Sequence, residues 1–144
     1  MNVTKLRIGN YVLRKNILNE YLKILSIDSI KNTVYLDLSG LGIMEKISNL
    51  EPILFTEELV EKIGFKKEKS RYNFYVLEDY DGAFYITFLK NDVRLKYYKI
   101  IRPEKGIIKN EYRGEILYNI SNFNLHDLQN IYYIFTGKEL KIEL

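Results

Sequence analysis

Short runs in which apolar and polar residues alternate fill the first third of the chain. Within residues 34–38, Val34, Leu36 and Leu38 alternate with two other residues, as in a strand with one buried face. Gly9 interrupts the first run and marks a bend or bulge. The predicted strands cover residues 6–13, 21–27, 34–38 and 43–47, with a turn at residues 39–42. Short strands joined by tight turns are typical of a strongly bent antiparallel meander, and they predict an SH3-like fold for this region.

A second series of alternating residues runs through residues 72–118. Asp81-Gly82 is a hairpin-turn signal, so the strands on either side of it are expected to pair in antiparallel fashion. The alternation fails at residues 100–101, which predicts a bulge or a strand end near Tyr98. The expected strands cover residues 72–77, 84–89, 93–98, 107–108 and 115–118.

Two helices complete the predicted elements. Thr56 can accept hydrogen bonds from first-turn amides and Gly64 can end a helix in the left-handed conformation, which together predict a helix at 56–63. A longer helix is expected at 124–136 and is followed by Gly137. Strands, a short helix, strands and a helix in this order predict an α+β fold with mostly antiparallel pairing. The expected parts are the meander at residues 1–50 and an α+β part at residues 51–144, forming one compact unit.

The final helix carries two separate sets of side chains. An apolar stripe is expected to be buried; its members are Leu125, Leu128, Ile131, Tyr132 and Phe135. The other side carries polar residues at helical spacing, namely His126, Gln129, Asn130 and Tyr133. These four are candidate binding residues if the side is exposed. The favoured alternative is that their polar groups bond to backbone, because most side-chain hydrogen bonds in proteins go to backbone or water.

A basic stretch between Lys90 and Arg113 holds eight Lys or Arg and three Asp or Glu. Arg94, Lys96 and Tyr98 share one face of a predicted strand. Basic side chains beside tyrosine on a sheet can contact phosphates and stack on bases, so these three are a second candidate site. The alternative is an ordinary solvated face, and the net charge of +3 is too small to decide between them.

Most catalytic chemistry finds no support in the residue types. The chain has no cysteine and a single histidine, which excludes thiolate catalysis and cysteine-based zinc sites. No serine lies in a nucleophile-elbow motif, and no phosphate-binding or dinucleotide-binding motif is present. The acidic segment Glu78–Gly82 is interpreted as a solvated turn, since it lacks the remaining ligands of a calcium loop. No cofactor and no metal site are predicted, and a metal-dependent hydrolase is the least favoured function.

The amino-acid composition limits the class of protein and the cellular compartment that are expected. Apolar residues make up 47% and charged residues 28% of the chain, an ordinary balance for a globular domain. No apolar run reaches the length of a membrane span, and the first residues lack the apolar core of a signal peptide. Together with the absence of cysteine, these features predict a cytoplasmic protein.

Several short segments resemble a family of small uncharacterised proteins of Bacteroidetes and their phages. They are Leu6-Arg7-Ile8-Gly9-Asn10 near the start, residues 50–53, 56–58 and 63–65 in the middle, and His126-x-Leu128-Gln129-Asn130-x-Tyr132 followed by Thr136-Gly137-x-Glu139-Leu140 near the end. The segment between residues 66 and 120 carries no such motif. The resemblance implies a phage or mobile-element setting and no catalytic residues.

The sequence therefore predicts a small non-enzymatic binding protein. Its expected partner is a host protein or a small anionic ligand, and a counter-defence role would suit a phage. Binding of nucleic acid through Arg94, Lys96 and Tyr98 is the first alternative. A structural homo-oligomer formed by pairing of exposed strand edges is the second.

Overall fold

The structure, a computed structural model, describes residues 5–17, 20–69, 74–79, 81–104 and 106–142. Within these ranges the chain has two antiparallel five-stranded sheets and two α-helices, which confirms the predicted α+β fold. Tyr72, Tyr80 and Lys105 belong to a predicted strand, the acidic turn and the basic stretch, and they lie outside the described residues. Neither described helix is both long and apolar enough to cross a membrane.

The chain divides into two compact units, the first of which comprises the described parts of Met1–Leu54 and Asn124–Ile131. Its strands are β1 (Tyr11–Arg14), β2 (Tyr21–Asp28), β3 (Thr33–Leu38), β4 (Leu41–Lys46) and β5 (Leu50–Glu51). They lie in the order β4-β3-β2-β1-β5. One turn of 3-10 helix, Ile47–Asn49, leads into β5, which returns to pair with β1. The predicted meander is confirmed, and its fifth strand pairs with its first as in SH3-like folds.

Alternation along the strands builds the core of the first unit. The buried residues are Leu6, Val12, Leu22, Ile24, Val34, Leu36, Ile47 and Leu50. The bend predicted at Gly9 is confirmed: φ is 92° there, and the Gly9 N–H donates to the Ile24 carbonyl at 2.8 Å. Because of this bend, β1 begins at Tyr11 rather than at Leu6.

The second unit comprises the described parts of Phe55–Phe123 and Tyr132–Leu144. Its strands are β6 (Lys66–Glu68), β7 (Phe74–Glu78), β8 (Gly82–Phe88), β9 (Asp92–Ile101) and β10 (Lys109–Asn119), in the order β10-β9-β8-β7-β6. The strand β6 carries no apolar alternation and was not predicted. The strand predicted at residues 107–108 is wrong, because these residues lie outside any strand, and only residues 115–118 of the 11-residue β10 were predicted. The expected bulge lies on β10, where the register shifts between Tyr112 and Gly114 opposite Tyr98 and Tyr97.

Aromatic side chains fill the inner face of this second sheet. Phe84 contacts the rings of Phe65, Tyr132 and Phe135, with centroid separations of 6.3, 5.5 and 6.1 Å. Gly114 leaves room for the Phe135 ring, because a Cβ at that position would lie 2.7 Å from this ring. Burial of large aromatic rings contributes strongly to the stability of such a core.

Both helices begin and end as the sequence predicts. The helix α1 (Glu57–Lys62) follows Thr56, whose Oγ1 accepts from the Leu59 N–H at 3.2 Å. The helix α2 (Leu125–Thr136) follows Asn124, whose N–H donates to Asp127 Oδ2 at 3.0 Å. Gly64 and Gly137 follow the two helices with φ of 97° and 71°, which is the usual left-handed ending. Residues 124–131 count with the first unit, and residues from Tyr132 onward count with the second. The predicted division of the chain at residue 50 stays a prediction.

Candidate functional site

The polar side of α2 is not one exposed surface. His126 and Gln129 are buried, with 2% and 1% of their surface exposed, and Asn130 is half-buried. Tyr133 is 44% exposed. The four side chains therefore do not form a continuous exposed surface, and Gln129 and Asn130 bond to the backbone of the N-terminal segment, as the favoured alternative predicts.

Two amide side chains of α2 hold that N-terminal segment in place. Gln129 donates from Nε2 to the Gly9 carbonyl at 3.1 Å and accepts from the Tyr11 N–H at its Oε1 at 2.9 Å. Asn130 donates from Nδ2 to the Lys5 carbonyl at 2.8 Å. Its Oδ1 accepts from Arg7 Nε and Asn10 Nδ2, at 2.8 and 2.9 Å. We call Gln129, Asn130 and their partners at residues 5–11 the amide cluster. Its hydrogen bonds are those of a structural contact.

His126 lies among the buried residues of the first unit. Its Nε2 is 3.8 Å from Asp127 Oδ2, and within the described part of the chain its buried Nδ1 has no hydrogen-bond partner. Burial lowers the pKa of His126, the Asp127 carboxylate opposes this effect, and the positive charge of Lys5 adds to it. A neutral, enclosed imidazole is poorly placed to exchange protons with a substrate.

The three candidate residues of the basic stretch come together on the outer face of the second sheet. Arg94, Lys96 and Tyr98 alternate along β9 with the buried residues Val93, Leu95 and Tyr97. Across the sheet, Thr87 lies opposite Arg94, and Tyr85 lies opposite Lys96. The structure thus places these side chains on one face with their neighbours from β8.

A groove of about 700 Å³ lies on this face. It is lined by Phe74, Tyr85, Thr87, Leu89, Arg94, Lys96, Tyr98 and Asn110. All three sequence-predicted residues line it, and we call it the outer groove. Its volume falls in the range typical of small-molecule sites, which are mainly apolar and contain a few polar groups.

A row of aromatic rings forms one part of the outer groove and extends beyond it. Phe74 and Tyr85 have ring centroids 5.7 Å apart, and Tyr85 and Tyr98 have centroids 5.5 Å apart at an interplanar angle of 85°. Tyr112, on β10, continues the row at 5.4 Å from Tyr98. Burial raises the pKa of Tyr85, and nearby Glu78 raises it further, so its hydroxyl keeps its proton at neutral pH. The groove therefore offers ring surfaces together with a phenol donor.

The two cations of the outer groove share one carboxylate. Glu115 lies opposite Lys96 on β10, with its Oε2 3.1 Å from Lys96 Nζ and its Oε1 3.1 Å from Arg94 Nε. The Arg94 Nε is buried, yet it has no well-formed hydrogen bond to any described residue. The Arg94–Glu115 contact is thus an ion pair with poor alignment for a hydrogen bond, and one guanidinium donor stays unsatisfied.

A second cavity of about 850 Å³ lies elsewhere in the second unit, beside Tyr132 and Lys138. Lys138 Nζ is 3.1 Å from Asp79 Oδ2 and also contacts Asp81, and these two carboxylates raise the pKa of its ammonium group. Among the described residues, its charged lining comprises three lysines and three acids: Lys62, Lys138, Lys141, Glu78, Asp79 and Glu139. With equal numbers of opposite charges, this cavity favours no sign of ligand charge. Among the described ranges, no three His, Asp or Glu side chains are grouped as metal ligands.

The sequence predicted the residues that β9 contributes to the outer groove, but not those that the neighbouring strands contribute. Phe74 and Tyr85 line the groove through the pairing of β7 with β8 and of β8 with β9, and Glu115 reaches the groove cations through the pairing of β10 with β9. The signal in the sequence was the Asp81-Gly82 turn, which fixes the pairing that precedes β8 but leaves the β9–β10 register open. No family model, no curated protein and no solved structure matches this chain.

Proposed function

We propose that this protein is a non-enzymatic binding protein and that its outer groove takes a small ligand with an aromatic ring and an anionic group. One observation carries the proposal: Arg94 and Lys96 line the same groove as Tyr85 and Tyr98. Ring surfaces and cations at one site match the two parts of such a ligand. This proposal leaves the amide cluster its structural role and assigns binding to the second sheet.

Physical magnitudes support a ligand of this kind. A hydrogen bond to a charged group contributes about 1.5–3 kcal/mol, roughly twice the contribution of a neutral one. Aromatic pairs add about 0.5–1.5 kcal/mol beyond the area that they bury. Both effects act within a groove of about 700 Å³, which accommodates one or two fused rings.

The test is a titration with 2-naphthoate, followed by calorimetry and by amide NMR shifts. We expect saturable binding of 2-naphthoate, weaker binding of neutral 2-naphthol, and shifts that concentrate on β8 and β9. The double variant R94Q/K96Q should weaken 2-naphthoate binding roughly a hundredfold, since it removes two charged contacts worth about 1.4 kcal/mol or more each.

A matched control removes two positive charges from the first unit. Lys23 and Lys46 are exposed residues of the first sheet, so K23Q/K46Q changes the net charge equally without touching the groove. This variant should bind 2-naphthoate as the unmodified protein does. Equal losses in both double variants, or shifts spread over the whole chain, would show that only net charge attracts the anion and would refute the proposal.

Single-stranded nucleic acid is a second candidate ligand, favoured by one further observation. Tyr112 is 52% exposed and continues the aromatic row beyond the groove lining. A row of rings beside cations can stack successive bases. Fluorescence anisotropy with a labelled oligothymidine should then show binding that falls steeply as salt rises. In that case Y112A weakens oligonucleotide binding and leaves 2-naphthoate binding unchanged; no binding at low salt would eliminate this candidate.

We further propose a phage or mobile-element setting, with a host protein as an additional partner. The support is the sequence resemblance at residues 6–10 and 126–140. The test is affinity capture from a Bacteroidetes lysate with the intact protein and with R94Q/K96Q side by side. A partner retained by the first and lost by the second would connect the groove to that setting, whereas capture of no specific protein would count against it.

A further inference from the structure

Arg94 has a donor without a hydrogen bond, and it shares the Glu115 carboxylate with Lys96. These two features bear on which anion the outer groove takes. We propose that the ligand is an aromatic phosphate monoester and that Glu115, beside the groove, holds the two cations that its phosphate would bind. This inference rests on the proposed function, because it assumes that the groove binds an aromatic anion. It adds the chemical class of the anionic group and gives Glu115 the role of an internal competitor.

The geometry of Glu115 supports the role of a stand-in anion. Its two oxygens lie 3.1 Å from Arg94 Nε and 3.1 Å from Lys96 Nζ, so one carboxylate spans both cations. It does so imperfectly, since Arg94 Nε is buried without a hydrogen bond. A planar carboxylate has two oxygens to offer, whereas a phosphate monoester has three terminal oxygens in a tetrahedral arrangement. A phosphate can therefore approach both cations and still place an oxygen in line with the Arg94 Nε–H.

Charge balance selects a monoester over singly charged anions. Among the residues that the structure describes, the groove is lined by two cations, Arg94 and Lys96, and by no acid. Glu115 offsets one of these two positive charges. A carboxylate ligand that displaces Glu115 exchanges one negative charge for another, so it gains less than an anion of higher charge. A phosphate monoester carries about −1.5 to −2 charges at pH 7, so it can balance both cations after Glu115 turns away.

Glu115 is free to turn away. About a third of its side chain is exposed, and its strand β10 is at the edge of the second sheet. The carboxylate thus regains water when it leaves the cations. On the other side of Arg94, Thr87 is its cross-strand partner and brings a hydroxyl donor to the same end of the groove. The ring of the ligand then lies toward Tyr85 and Tyr98, since Tyr98 is two residues, about 6.7 Å, beyond Lys96 along β9.

The experiment compares 2-naphthyl phosphate with 2-naphthoate on the full chain by calorimetry, so that only the anionic group differs. The unmodified protein should bind the phosphate roughly tenfold more tightly than the carboxylate, which corresponds to one additional charged contact. The variant E115Q should bind both anions more tightly, by roughly tenfold for the phosphate, and should leave 2-naphthol unchanged. The matched control is E111Q: Glu111 lies on the same strand and pairs with Arg113, so it removes the same charge away from the groove cations.

The outcomes separate this inference from the proposed function. Weaker phosphate binding by E115Q would mean that Glu115 positions the cations, and it would overturn the inference. Equal binding of phosphate and carboxylate, or an equal gain in E115Q and E111Q, would overturn it as well. In each of these cases saturable 2-naphthoate binding at β8 and β9 would leave the proposed function standing. If neither anion binds, both proposals fail.

Discussion

Two groups of polar side chains, the amide cluster on α2 and the outer groove on the second sheet, look alike in the sequence and differ in the structure. Each set has the spacing that places its members on one face of its element. Gln129 is 1% exposed and bonded to backbone on both sides, whereas Arg94 and Lys96 keep 40% and 33% of their side chains exposed. Shared spacing therefore identifies a face, and only the surrounding chain decides whether that face holds the fold together or meets a ligand.

The strongest test of this contrast is removal of the buried amide. Q129A leaves the Gly9 carbonyl and the Tyr11 N–H without their partner in a buried setting. Each orphaned group costs about 1–3 kcal/mol, so the free energy of unfolding should fall by about 2–6 kcal/mol in urea titrations. The control is I134A, at a helix position that is 74% exposed, and it should change the free energy by less than about 0.5 kcal/mol. If Q129A and I134A lowered the free energy of unfolding equally, the amide cluster would have no special role in stability.

The next largest effect concerns the glycine at the β10 bulge. G114A places a methyl group 2.7 Å from the Phe135 ring, and such overpacking costs about 1–3 kcal/mol. Thermal unfolding should show a lower Tm, and the smaller side chain in G114A/F135L should restore part of it. G42A is the matched control, because its Cβ would meet Tyr35 at an ordinary 3.5 Å. If G42A were as destabilising as G114A, strand propensity rather than the Phe135 contact would be the cause.

The pH dependence of stability tests the enclosed histidine. Burial lowers the pKa of His126 in the folded state, so the unfolded chain binds a proton more readily than the folded chain. Its contribution to stability is complete above the unfolded pKa of about 6.5 and is lost as pH falls through the lower folded value. The urea midpoint should therefore decrease between pH 7.5 and pH 5, and the decrease should be smaller in H126Q. If H126Q and the unmodified protein had the same pH profile, the loss of stability at low pH would come from carboxylates rather than from His126.

The smallest expected effect on stability belongs to the outer groove. R94Q/K96Q removes two partly exposed ion pairs with Glu115, and exposed pairs are worth about 0–1 kcal/mol. The free energy of unfolding should hardly change, while binding of aromatic anions is lost. A loss of stability comparable to that of Q129A would abolish the distinction between the two groups.

Local chemistry made much of the fold predictable. The alternation at Val34, Leu36 and Leu38, the Thr56 cap and the Gly64 stop each act within a few residues, and each appears as expected. The strand β6 was missed because Lys66, Lys67 and Glu68 are all exposed and carry no apolar alternation. The length of β10 was missed because pairing with β9, rather than its own sequence pattern, maintains a strand of mostly exposed residues.

The candidate site was predictable only along one strand. Arg94, Lys96 and Tyr98 share a face by the two-residue period of β-structure, and that prediction needs no knowledge of neighbours. The hydrogen bonds of Gln129 and Asn130 depend on the path of residues 5–11, more than a hundred positions away in the sequence. Helical spacing contains no information about such a distant covering segment, so the amide cluster could not be told from an exposed surface.

The bulge on β10 changes which face of the sheet each later residue of the strand points to. Tyr112 pairs with Tyr98 and Gly114 pairs with Tyr97, so Arg113 is the extra residue. If Arg113 instead paired with Tyr97 in an unbroken register, Glu115 would pair with Leu95 and point into the core, instead of pairing with Lys96 on the outer face. The bulge thus keeps Glu115 beside the two cations of the outer groove. One local irregularity in the pairing of β10 decides whether that carboxylate faces these cations or the core.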